Sequence, residues 1–460
     1  MSKDVICRKR HYWLTTNSNS RMTTMQEQCL VCGMHEVEKL AGNVSSRRPW
    51  GWTKPKKERQ ILLGLKNVLG EEMTSVLPVA RLYPAYLLGT YWVLSVLGEE
   101  MTNVLPCDFP AIYNFGDSNS DTGGIYAAFY PTGPPSGETF FHEPSGRGSD
   151  GRLIIDFIAK RLGLPYLSAY LDSIGTSFRH GANFATGGAT IRRLNESFFL
   201  NGVSPFSLDI QTVQFDQFKA RTSNLYHRAK KHRRNLPTPE DFPKALYTLD
   251  IGQNDIAAGF RTMSNQEFKA VISDIIDHFA TAVQHLYEQG ARAFWIHNTG
   301  PIGCLPVTLH YYHGPMPGIL DEYGCVIAQN DMAKEFNGQL KSSVTKLRTQ
   351  LSDAALTYVD VFAAKYELIS NAKKEGFLDA RNICCGYHEG GNHVWCGNNA
   401  KINGTDLYAG SCEDPSRYIS WDGIHYTEAA NHWIANHISN GSFSDPPVSI
   451  THACLRSQPL

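Results

Sequence analysis

From Cys107 onward the chain alternates between two kinds of segment, and this alternation limits its possible folds more than any other feature. Short apolar or β-branched runs occur at 111–115, 182–185, 245–251, 293–297 and 356–361, each running out into Gly, Asn or Asp. Between them lie stretches whose apolar residues recur three and four apart. One covers 153–162, with Ile154, Ile155, Phe157, Ile158 and Leu162. A second covers 268–289, with Phe268, Val271, Ile272, Ile275, Ile276, Phe279, Val283 and Leu286, and Gly290 stops it. A third runs through Ala333, Phe336, Leu340, Val344, Leu347 and Leu351. Period-2 or continuous apolar runs alternating with period-3.6 runs predict a parallel sheet covered on both faces. The expected class is α/β, a three-layer α/β/α fold on a mainly parallel five-stranded sheet. Sites in such sheets form beyond the carboxyl ends of the strands, so the loops there are where chemistry is expected.

Four loops stand out. The first follows Ile112–Phe115 and breaks at Gly116-Asp-Ser118, continuing through Asn119, Ser120, Asp121 and Thr122. It reads as a buried strand ending in a loop that presents Ser118. Gly116 permits a tight turn, and Asp117, Asn119, Ser120 and Asp121 suit a helix start, whose N–H groups would favour an oxyanion. Alone, the stretch reads first as an Asx-type turn without chemistry, ahead of a catalytic serine. The second loop, Gly181-Ala-Asn-Phe-Ala-Thr-Gly-Gly188, is glycine-rich but matches no phosphate-binding or dinucleotide pattern. In the third, Asp250-Ile-Gly-Gln-Asn-Asp255, Asn254 is placed either to donate a side-chain N–H or to cap the next turn. The fourth is Trp421-Asp-Gly-Ile-His-Tyr426, ahead of a helical pattern from Thr427. Asp422 and His425 are three apart across Gly423, so the carboxylate reaches one ring nitrogen, fixes the tautomer and leaves the other nitrogen as a base. A lone Asp-x-x-His is commonly structural. With a serine at a strand end it completes a nucleophilic set.

Lys and Arg total 43 against 44 Asp and Glu, and this balance asks for no nucleic-acid partner. The basic run His227-Arg-Ala-Lys-Lys-His-Arg-Arg234 reads as a solvated face. Seven of the eleven cysteines fall between Cys304 and Cys454, with a cluster at 384–412 too rich in Gly and Asn to build its own core. That cluster needs a staple, and disulfides are expected there. Asn195, Asn403 and Asn440 head glycosylation acceptor triplets, as does Asn43. Cysteines and acceptors together predict a secreted, extracellular protein.

Residues 1–106 read differently. They hold a basic stretch, and a pair, Cys29 and Cys32, at metal-ligand spacing with no second pair to match it. The segment 68–78 recurs at 96–106 with Ser75 replaced by Asn103, a local duplication. Between the copies, 82–97 resembles the apolar core of a signal peptide and is too short for a stable membrane span. The expectation is a poorly ordered N-terminal extension over 1–106, a functional start inside it at Met73, and a catalytic domain over 107–455. Edman sequencing of the native protein would reveal that start.

Gly116-Asp-Ser-Asn-Ser-Asp-Thr-Gly123, Gly181 to Gly188, Gly252-Gln-Asn-Asp255 and Asp422-Gly-Ile-His425 come in the order and spacing of the GDSL lipase/esterase family. The chain resembles that family, one of the SGNH hydrolases, over about residues 107–455, most closely the plant branch of early-nodulin-type and latex esterases. The first block reads Gly-Asp-Ser-Asn where the family name has Gly-Asp-Ser-Leu. The resemblance implies an SGNH-type fold and a serine esterase. Ser118 would be the nucleophile, His425 the base and Asp422 its orienter. The N–H of Ser118, that of Gly188 or its neighbour Gly187, and the Asn254 amide would form the oxyanion hole. It implies no metal or organic cofactor, and a small-molecule or polysaccharide ester as substrate. Two other readings stay open: an acyltransferase using the same triad, and a secreted carbohydrate-binding or defence protein with incidental esterase activity.

Overall fold

The computed structural model describes residues 105–194, 203–311, 318–389 and 392–456, all in the second of the chain's two units, Thr102–Leu460. The N-terminal readings, from Cys29 and Asn43 to Met73 and the stretch 82–97, lie outside the described residues, and so does Asn195.

The strands are β1 Ile112–Gly116, β2 Gly181–Asn183, β3 Leu246–Asp250, β4 Ala293–His297 and β5 Ala355–Val359, followed by β6 Asn399–Ile402, β7 Thr405–Tyr408 and β8 Ser444–Asp445. The helices are α1 Gly124–Ala128, α2 Ile154–Arg161, α3 Leu208–Arg228, α4 Gln253–Thr262, α5 Asn265–Glu288, α6 Pro306–Tyr311, α7 Ile327–Gln350, α8 Val361–Ser370 and α9 Glu428–Ser439. The main sheet has the order β2-β1-β3-β4-β5-β8. Its first five strands are parallel, as the alternation predicts. The sixth, β8, pairs antiparallel with β5 and was not expected. A half-buried Ser-Asp pair has no apolar pattern to announce it. It borrows its place from β5, whose edge it covers.

Every residue of β1, β4 and β5 is buried, which is why these strands read as continuous apolar runs. Helices α3, α5 and α7 pack side by side, and α2, α9 and α8 form a second group. These groups are the outer layers. On the α3 side, Phe215 meets Tyr113 edge-on at 5.2 Å and Phe115 at 5.8 Å, and Tyr113 stacks on Phe242 at 5.2 Å. Each such ring pair adds about 0.5–1.5 kcal/mol beyond the area it buries. Local signals set the helix starts. Ser264 and Glu267 form a reciprocal capping box on α5, and the Thr427 side chain accepts the Ala430 N–H at the start of α9.

Sulfur bridges join Cys107 to Cys454, Cys304 to Cys325, Cys384 to Cys412 and Cys385 to Cys396. The first ties the start of the domain to its end. The last two staple the Gly- and Asn-rich cluster, as expected. Within it β6 and β7 form a hairpin whose Asn403-Gly404 turn has φ of 50° and 84°, the positive pair a two-residue hairpin loop requires. The basic run lies on the end of α3 and a following 3-10 turn, Lys230–Asn235, with no buried residue.

The strand order reverses direction between β1 and β3. In a doubly wound sheet that is where a crevice opens beyond the carboxyl ends. Ser118, Gly188 and Asn254 all follow strands at this point, and the fold delivers them there from three separate stretches of chain.

Candidate active site

The turn that carries Ser118 is built on a polar floor. A Cβ on Gly116 would stand 2.5 Å from the Asp250 carbonyl oxygen and from Ser120 Oγ, so only glycine fits where β1 ends. Gln211 of α3 clamps that glycine: the Gly116 N–H donates to Oε1 at 2.9 Å and Nε2 donates to the Gly116 carbonyl at 2.8 Å. Asn114 Nδ2 donates to Asn183 Oδ1 at 2.7 Å and to Ser120 Oγ at 3.0 Å. Asn183 Nδ2 donates to the Ser120 carbonyl at 2.6 Å, and Thr248 donates to Asn114 Oδ1 at 2.6 Å. Buried polar groups satisfied this fully hold one geometry. Ser118 sits half-buried above them in the turn.

The expected helix start after Ser118 needs correction. Helix α1 begins only at Gly124, and of the four capping candidates it is Asp121 that serves it, accepting the N–H groups of Gly123 at 2.8 Å and Ile125 at 3.0 Å. Asp117 instead closes an Asx turn, with Oδ1 accepting from Asn119 N and Nδ2, both at 2.9 Å. The tight turn had to finish before a helix could begin.

Asp121 also reaches the glycine loop, accepting the Gly187 N–H at 2.7 Å. Among the described residues no acceptor engages the N–H of Gly188, whose φ is 75°. On the far side of the loop, Asp255 accepts the N–H of Ile191 at 2.8 Å and of Arg192 at 3.2 Å. Burial pushes the Asp255 carboxyl up to about 7 despite these donors. Asn254, in the first turn of α4, donates one amide hydrogen to the Ala189 carbonyl at 2.9 Å and keeps a second. Segment 187–192 is thus pinned between two buried carboxylates. The sequence reading missed the hold of both on the glycine loop: it took Asp121 only as a helix-start residue and gave Asp255 no role. Asp121 lies three residues from Ser118 and Asp255 adjoins Asn254, and this closeness was the one available signal. Asp121→Asn is expected to lower kcat about 10–100-fold with KM little changed, because an amide cannot accept at both oxygen positions and the loop shifts. Initial-rate kinetics on an ester substrate check this, and an unchanged kcat overturns it.

The histidine loop is rigid for local reasons. Asp422 Oδ1 accepts the N–H groups of Ile424 at 2.9 Å and His425 at 2.7 Å, while Oδ2 meets His425 Nδ1 at 2.6 Å. Gly423 supplies the required φ of 94°, and Val307 N–H donates to its carbonyl at 3.1 Å. The stapled cluster buttresses the loop. Cys385 N–H donates to the Trp421 carbonyl at 2.6 Å, and the buried Trp421 ring packs on Cys384 and Cys385.

Burial alone would lower the His425 pKa, but the Asp422 charge, its hydrogen bond and the charge of Asp117 outweigh it, and the net movement is upward. For Asp422 burial pushes up, and the His425 charge and N–H donors overcome it, leaving the carboxyl below its ordinary range. The structure therefore joins Asp422 to His425 and brings His425 within electrostatic reach of Asp117, the neighbour of Ser118. It does not bond His425 to Ser118. Nε2 is buried and makes no hydrogen bond. Catalytic hydrogen bonds often tighten only once substrate is bound.

The loops 125–148 and 191–206, expected to shape an acyl pocket, meet through Phe129 and Phe206, ring centroids 5.9 Å apart. Asn403 and Asn440 are exposed, at the hairpin turn and after α9. Among the described residues no helix is long and apolar enough to cross a membrane, and no group of three or more His, Cys, Asp or Glu is placed to hold a metal ion.

The GDSL-like Lipase/Acylhydrolase family model matches residues 112–438. A GDSL esterase/lipase of Arabidopsis thaliana is 62% identical over 352 residues, covering 76% of this chain and 90% of that protein. A Zea mays GDSL esterase/lipase is 51% identical over 356 residues, 76% of this chain and 89% of its own length. An Arabidopsis thaliana protein named alpha-L-fucosidase 3 is 48% identical over 340 residues, covering 73% of this chain and 91% of that one.

Proposed function

The chain belongs to the GDSL-like lipase/acylhydrolase family of ester hydrolases, and we propose that it splits carboxylic esters through a Ser118–His425–Asp422 triad and an acyl-enzyme on Ser118. The observation that carries this reading is the buried His425 Nε2, left without a partner while Nδ1 is held by Asp422. A buried ring nitrogen that hydrogen-bonds nothing is costly, and it suits an atom that takes a proton from a nucleophile and returns it to a leaving group.

In the first half-reaction neutral His425 accepts the Ser118 proton as Oγ attacks the ester carbonyl. The tetrahedral oxygen then carries the negative charge. The Ser118 N–H, the Gly188 N–H and the second hydrogen of the Asn254 amide are its donors. Gly188 is favoured over Gly187 because the Gly187 N–H is already given to Asp121. His425 returns the proton to the departing alcohol, and water repeats the sequence on the acyl-enzyme. A glycosidase reading, prompted by the relative named a fucosidase, wants two free carboxylates flanking the bond. Here Asp422 is committed to His425, and Asp121 and Asp255 to backbone N–H groups. Paired cysteines fit an oxidising compartment, so we place the enzyme outside the cell, glycosylated at exposed Asn403 and Asn440.

The base must be neutral to work, and its pKa is raised. Activity is therefore expected to fall on the acid side with a midpoint above about 6.5, the ordinary imidazole value. A kcat/KM profile on a p-nitrophenyl ester, with peptide mapping of a fluorophosphonate adduct to Ser118, tests the reading. A flat profile down to about pH 4, or an adduct elsewhere, overturns it.

A further inference from the structure

Behind the nucleophile turn lies a set of buried charges that the reaction steps leave unused. Lys365, on α8, is 3% exposed. Its stem lies across Gly300, where a Cβ would come within 2.9 Å of Cδ. Its ammonium stands 4.5 Å from the ring centroid of Tyr426, the residue after His425. From other elements the groups facing it are Asp250 at the end of β3 and Asp117 in the turn after β1. Asp250 is in register with Gly116, its carbonyl accepts the Asp117 N–H at 3.1 Å, and its carboxylate lies 3.3 Å from Nδ1 of His297 on β4. Asp117 Oδ2 is buried and has no hydrogen-bond partner. Two carboxylates thus lie close enough to interact, one with a buried, unsatisfied oxygen, and both act on a single buried amine.

Isolated charges of this kind are expensive to bury and persist when they compensate one another. The same ammonium faces the ring of Tyr426, so the buried amine lies beside the residue that follows His425 in the chain. We propose that Lys365 and Asp117 are positioning residues for ester hydrolysis: an opposed pair of charges, buried behind the nucleophile turn, that governs whether His425 is available as base. Their effects on His425 have opposite signs, Asp117 favouring the protonated ring and Lys365 opposing it, beside the direct contact from Asp422. Asp117 itself is raised to about 7 by burial and by the charge of Asp250, and Lys365 draws it back. The charge that Asp117 places near His425 is therefore itself sensitive to pH near neutrality.

The inference rests on the triad reading, and its test is built to separate the two. kcat/KM for a p-nitrophenyl ester is measured from about pH 5 to about pH 9 for wild type, Asp117→Asn, Asp117→Asn with Lys365→Met, and Ser118→Ala. Asn keeps the acceptor that Asn119 uses, and Met keeps the length of the lysine stem. Removing the negative charge is expected to move the acid midpoint down by roughly 0.5–1 pH unit. Removing the positive charge as well is expected to move it back up by a similar amount. Loss of packing alone would lower kcat without moving the midpoint in opposite directions. If the double variant does not fold, the Asp117→Asn arm decides alone. Midpoints fixed at the wild-type value overturn the inference while an inactive Ser118→Ala leaves the triad standing. An active Ser118→Ala overturns the triad itself.

Discussion

Ser118→Ala is expected to reduce kcat for a p-nitrophenyl ester by roughly 10⁴-fold or more, with the fold intact. The chemical loss is large because no neighbour can replace the attacking oxygen. The oxyanion donors remain, so a small residual rate over water is expected. The structural loss is small for a separate reason. The Ser118 side chain is half-buried and enters no hydrogen bond among the described residues. The turn is held instead by Gln211, Asn114 and Asn183. The melting temperature should therefore stay close to wild type, since a substitution of this kind costs about 0.5 kcal/mol or less. Turnover within tenfold of wild type would assign the nucleophile elsewhere.

Asp422→Asn is expected to cost about as much, near 10⁴-fold in kcat, through a tautomer. Asp422 Oδ1 accepts two backbone N–H groups, from Ile424 and His425. An asparagine must leave its carbonyl oxygen there, which turns its NH₂ toward His425 Nδ1. That nitrogen then becomes the acceptor and the ring proton moves to Nε2. A protonated Nε2 cannot take the serine proton. KM should move little, because Asp422 lies behind the ring. Stopped-flow and steady-state rates on Asp422→Asn, alone and combined with Ser118→Ala, check this: the double variant should be no slower than the Ser118 variant by itself. A loss below tenfold would mean that His425 finds its tautomer without Asp422.

Much of this architecture is legible in the residues. The five parallel strands are visible because every residue in them but the last of β3 is buried, and α5 and α7 because their apolar faces run through many turns. Asp422 and His425 are legible as a pair because their contact is local, three residues across a glycine turn. Strand β8 is not, since its two residues are strand only by pairing with β5. Nor are the duties of Asp121 and Asp255. Each is an acid near a motif, and its meaning lies in which distant N–H it accepts, 66 residues away for Asp121 and 64 for Asp255.

The sequence by itself determined the class of sheet, the order of the four loops and the chemistry that each could offer, because periodicity, turn residues and short-range hydrogen bonds are written locally. Only the tertiary structure decided how these loops are placed and held. The reversal of strand order between β1 and β3 brings the loops after β1, β2 and β3 together. The glycine loop is pinned by two carboxylates, and the histidine loop rests on a disulfide-stapled cluster. Lys365 lies 247 positions from Ser118 and on a helix with no motif, yet burial places its charge behind the nucleophile turn. Through-space electrostatics depend on distance and burial, and neither quantity is carried by the order of residues along a chain.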